Sequence, residues 1–101
     1  MTAELLAEIK SYLNVTWDDD ATDARINSFA KRGVSYLDAI AGSFQDYEID
    51  NKPKELLMEY CRYVWSDALS EFQTNYESEL LSFQQACQIA DSIDEEVETD
   101  E

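Results

Sequence analysis

The chain of 101 residues has no histidine, one proline, two glycines and two cysteines. Without histidine it lacks both the commonest general base and a leading zinc ligand. Cys61 and Cys87 stand alone and far apart, so they complete no zinc site and read as small buried thiols in a reducing compartment. Few glycines and prolines mean few turns, and no stretch alternates apolar with polar residues. Strands need both, which leaves an all-α fold. No apolar run approaches the length of about 20 residues that a membrane helix requires. The amphipathic start (Leu5, Leu6, Ile9, Leu13) also lacks the basic flank and cleavage pattern of a signal peptide. The expectation is a soluble protein, made in the cytoplasm, with no membrane partner.

Positive charge is missing from a whole region. No lysine or arginine follows Arg62, so the last 39 residues carry eleven acids and no base. The first 62 residues hold twelve acids and all seven bases, a net of −5 against −11 for the remainder. Gripping nucleic acid by neutralising phosphates needs clustered bases, which excludes that function class here. The same surface can repel a polyanion or imitate one. Catalysis has no support either: there is no glycine-rich phosphate loop and no Ser or Cys beside a base. No enzyme activity, cofactor or metal is expected. Asp18, Asp19, Asp20 and Asp23 lack the turn glycine of a calcium loop and read as helix capping and first-turn charge.

What is present suffices for one small domain. Hydrophobic residues make up 45% and aromatics 12%, too many for wholesale disorder despite a charge of −16. A domain of this size buries roughly two-thirds of its unfolded surface. Thr2 to Leu13 spaces Leu5, Leu6, Ile9, Tyr12 and Leu13 as a short amphipathic helix. Asp20 reads as the N-cap of a second helix running to about Ala41, with Trp17 packing onto its start. Ile26, Phe29, Gly33, Tyr36, Leu37 and Ile40 line its apolar face. Glycine there costs about 1 kcal/mol in helix propensity, which points to close approach of another helix. Gly42 ends the helix.

The connection Gly42 to Lys52 carries Phe44, Tyr47 and Ile49, which either fold back on the domain or are offered to a partner. Pro53 suits a first helical turn, and from it one long helix is expected to about Asn75. Its apolar positions cover about two-thirds of its circumference. Its aromatic run Tyr60, Tyr63, Trp65, Phe72, with Tyr76 beyond, is core on one reading and subunit contact on the other. Tyr76, Leu80, Phe83, Cys87 and Ala90 then step by four, three, four, three, a narrow seam that needs one groove to lie in. The tail DSIDEEVETDE reads as disordered. The expected architecture is a small bundle of about four helices with a protruding C-terminal helix and a disordered acidic tail. In residues, that is a core domain over 1–75, a docking helix over 76–90 and the tail over 91–101.

Three stretches, in this order, resemble the small helical head–tail connector (adaptor, head-completion) proteins of tailed bacteriophages. They are WDDDATDARINSFAKRGVSYLDAIAG from Trp17 to Gly42, KPKELLMEYCRYVWSDAL from Lys52, and EFQTNYESELLSFQ from Glu71 to Gln84. The resemblance as a whole covers roughly Ala3 to Ala90, and the acidic end after Ala90 departs from the family pattern. The resemblance implies a virion protein at the capsid vertex, forming a homo-oligomeric ring of about a dozen copies beneath the portal protein. It would extend the channel through which DNA passes without specific binding, and present a platform to a tail or stopper protein. On that reading the seam residues Tyr76, Leu80, Leu81, Phe83 and Cys87, with Phe44 and Tyr47 of the loop, contact the portal or a neighbouring copy. Lys31, Arg32, Lys52 and Lys54 would pair with acids of the next copy. The rival reading is an acidic nucleic-acid mimic that inhibits a DNA-binding protein; the base-free region favours it and the wide apolar central helix does not.

Overall fold

In a computed structural model, residues 2–99 are described, with side chains described through Ile89. Five helices follow one another: α1 Ala3–Tyr12, α2 Asp20–Ala41, α3 Lys52–Trp65, α4 Leu69–Asn75 and α5 Glu77–Thr99. No strand occurs among the described residues, so the all-α class holds. α1, α2 and α3 start where side chains take up orphan N–H groups. Thr2 caps α1 through Leu5 N, and Asn51 caps α3 through Lys54 N, with Pro53 in the first turn. The cap of α2 is Asp19 rather than Asp20; its carboxylate accepts from Thr22 N and Oγ1 (3.1 and 2.7 Å), and Asp20 becomes the first helical residue. Trp17, expected to pack onto this start, is 49% exposed.

The single long helix expected over 53–75 is two helices, and this is why the count is five. Asp67 sits at φ 59°, in the left-handed region. Around it Ala68 N–H reaches Tyr63 O (2.8 Å) and Asp67 N–H reaches Val64 O (3.1 Å), the crossed bonds that close a helix end. The same pair of bonds closes α1 around Asn14, at φ 62°. Asp and Asn tolerate this conformation better than other side chains do. The chain therefore turns back after Trp65, and α4 packs on α3.

That turn decides the fate of the aromatic run. Phe72 on α4 enters a cage of rings, with centroids 5.6 Å from Tyr60, 5.5 Å from Tyr63, 6.3 Å from Tyr36 and 5.0 Å from Tyr76. Tyr60 and Phe72 are buried and Tyr63, Trp65 and Tyr76 partly so, all within one core. The apolar excess of a straight helix is covered by its own folded-back end. At the α2–α3 crossing Gly33 is the contact point: a Cβ there would lie 2.7 Å from Tyr60 Cδ1 and 2.9 Å from Leu57 Cδ1. The close approach inferred from a glycine on an apolar face is therefore present.

α5 packs on α2 and α4, and Leu80 and Phe83 belong to the same core as Leu5, Ile26 and Leu57. Against the expected division into a 1–75 core and a 76–90 docking helix, these two seam positions are buried in the same core as residues of 1–75. The helix bounds run nine residues past the expected end at Ala90. The tail expected over 91–101 falls where the side chains, and at residues 100–101 the backbone also, lie outside the described residues.

Candidate interaction surfaces

The connection between α2 and α3 is a built loop. Gly42 ends α2 at φ 79°, and its N–H bonds Asp38 O (2.9 Å). One carboxylate oxygen then pins the loop twice: Asp38 Oδ1 accepts from Gln45 N (3.1 Å) and from Tyr47 Oη (2.7 Å). Asp46 Oδ1 accepts from Glu48 N (2.9 Å), and Asn51 Nδ2 donates to Asp46 O (2.8 Å). Tyr47 is buried, and burial, with the bond to Asp38, pushes its phenol well above the usual range. Of the loop's apolar residues, Tyr47 folds back on the domain and Phe44 does not. Phe44 is 95% exposed, one residue from a pinned amide, and Ile49 is 55% exposed.

The interface set expected from sequence thus splits. Leu80 (6% exposed), Phe83 (5%) and Tyr47 are covered by their own domain. Tyr76 stacks on Phe72, and Cys87 is half-buried with Sγ 3.9 Å from Gln45 Oε1, so the seam joins α5 to the loop. Phe44 and Leu81 (52% exposed) remain on the surface, joined by Ile89 (61%). Asp38 was missed because its partners lie seven and nine residues away in an irregular loop, where no periodicity marks them.

The basic residues are also mostly spent inside the chain. Lys10 bridges Asp18 (3.1 Å) and Asp23 (2.8 Å), Lys52 bridges Glu55 and Glu79, and Lys54 bridges Glu8 and Asp50. Lys52 and Lys54, expected to pair with another copy, have acid partners within the chain. Arg62 pairs with Glu59 (2.6 Å), and Arg25 lies 5.4 Å over the Trp65 ring. Arg25, Lys31 and Arg32 are exposed and in no ion pair among the described residues, and of these Arg25 is taken up by the Trp65 ring.

Glu59 ties three elements together. Burial raises its pKa, but hydrogen bonds from Tyr12 of α1 and from Arg62, together with Tyr76, outweigh that and hold it below the usual carboxylate range. Such a cluster is a clamp between α1, α3 and the α4–α5 corner. Burial pushes the Cys61 thiol up to about 12, which keeps it protonated and inert. Among the described residues no cluster of His, Cys, Asp or Glu has the arrangement of a metal site, and no helix is long and apolar enough to cross a membrane. Open clefts of about 520 Å³ (by Asp50, Lys54 and Met58) and about 470 Å³ (by Leu5, Lys31 and Tyr47) have polar rims and no nucleophile–base pair. Comparison with protein-family models, curated proteins and solved structures finds no match.

Proposed function

We propose that this protein is a non-catalytic structural component, a head–tail connector of a tailed phage. It assembles as a ring under the portal protein, extends the DNA channel and joins the capsid to a tail or stopper protein. The observation that carries the reading is the pairing of two properties in one small rigid domain. A base-free acidic region follows Arg62, while Phe44, Leu81 and Ile89 stand exposed on a pinned loop and a helix. A conduit for DNA must not hold what passes through it, and carboxylates facing phosphates avoid a sticky site. The exposed apolar side chains supply contacts to protein neighbours. A nucleic-acid mimic would use the acids but leaves the exposed apolar residues without a role. Capture experiments separate the two: immobilised protein should retain a portal protein and not host nucleases. Retention of a nuclease with no affinity for the portal would overturn the connector reading.

A further inference from the structure

From Leu80 to Ala90 the sequence LLSFQQACQIA contains no charged residue, in a chain that is 30% charged. The buried side of α5 needs Leu80 and Phe83 apolar; its outer side has no such need. Yet Leu81, Ala86 and Ile89 are exposed there, alongside Ser82, Gln85 and Gln88. Acids stand at both ends, Glu77 and Glu79 before the strip and Asp91 onward after it. A charge-depleted centre with a charged rim is the composition of a protein contact.

A complementary surface lies elsewhere on the same chain. Lys31, Ser35, Asp38 and Gly42 follow one line along α2 at steps of four, three and four, and Phe44 stands just past its end. Phe44 is displayed by a loop fixed at Asp38, so little ordering cost is left to meet on contact. Lys31 and Arg32 are exposed and in no ion pair among the described residues, and unlike Arg25 neither lies over an aromatic ring there. Lys31 to Gly42 spans about 17 Å of helix, and Leu81 to Asp91 about 15 Å.

We propose that the α2 edge of one copy, bearing Phe44, Lys31 and Arg32, docks on the outer strip of α5 of a second copy. Phe44 seats against Leu81 and Ile89, and the two bases favour a strip that lies in the acid-rich, base-free part of the sequence. The two surfaces differ, so the contact is heterologous and repeats copy after copy, closing into a ring when the rotation allows. It gives the connector reading its subunit contact and rests on that reading only for its biological use.

Sedimentation of full-length protein tests it without a portal. Wild type should grow in mass with concentration, and assembly should weaken as salt rises. Phe44→Asp should be monomeric, and so should Leu81→Asp with Ile89→Asp; all three positions are exposed, and circular dichroism should show unchanged helix. Each variant keeps one good surface, so an equimolar mixture should form one-to-one dimers and stop there. A wild type that stays monomeric at every concentration overturns the contact, as do variants that assemble normally or a mixture that stays monomeric. A monomeric wild type that still binds a portal would sink this contact alone, leaving the connector reading in place.

Discussion

Replacing Gly33 with alanine sets two known effects against each other. Alanine is the better helix former by about 1 kcal/mol, so in an open helix the change would stabilise. Here the new methyl would sit 2.7 Å from Tyr60 Cδ1 and 2.9 Å from Leu57 Cδ1, closer than carbon atoms approach. Neither neighbour is free to yield. Leu57 is fully buried, and the Tyr60 ring is held between Tyr36 (5.7 Å) and Phe72 (5.6 Å). Overpacking of this kind costs roughly 1–3 kcal/mol. The difference is a net loss of about 1 kcal/mol, or roughly 4–8 °C in Tm for a domain near this size. Urea and thermal unfolding followed by circular dichroism would measure it. Gly42→Ala is the control: nothing lies within 4 Å of its Cβ, so its cost of about 1–2 kcal/mol comes from φ 79° alone. A Gly33→Ala protein more stable than wild type would refute the close α2–α3 approach.

Three further outcomes are expected. Leu80→Asp with Phe83→Asp should unfold the monomer rather than merely block assembly, since truncating such buried side chains costs roughly 2–5 kcal/mol each before any carboxylate is buried; a helical, cooperatively melting double mutant would show the seam is dispensable to the fold. Glu59 has a lowered folded pKa, so its clamp contributes fully above the unfolded value of about 4.3 and is lost as pH falls through the folded value; Glu59→Gln should flatten that acid limb in pH-dependent urea melts, and an unchanged limb would mean the clamp is not formed. Tyr47→Phe removes the phenol bond to Asp38, worth about 1.5–3 kcal/mol if the carboxylate is charged, and should speed chymotryptic cleavage at Phe44 severalfold; an unchanged cleavage rate would show that other contacts hold the loop.

Helix existence was legible wherever local chemistry marks an end. Thr2, Gly42 and Pro53 each sit where capping and turn rules place them, and Gly33 announced a crossing that the Tyr60 and Leu57 contacts explain. The break at Asp67 was not legible. Val64, Ala68 and Phe72 keep helical spacing straight through it, and aspartate is not a residue that ends helices by itself. Only the rings waiting to receive Phe72 make the turn worthwhile, and those come from α2, α3 and Tyr76. The seam shows a related limit. Its spacing identified a face to be buried, but periodicity does not say against what, and α2 and α4 proved to be the cover. The surface set divided for the same reason: Tyr47 and Phe44 are alike in sequence, and Asp38 distinguishes them in space.

The connector reading meets its most direct test in electron microscopy of the protein mixed with a tailed-phage portal protein. A ring of added density on the tail-side face of the portal, continuing its channel, is the expected result. Portal particles unchanged at saturating protein, with the protein remaining free, would contradict it.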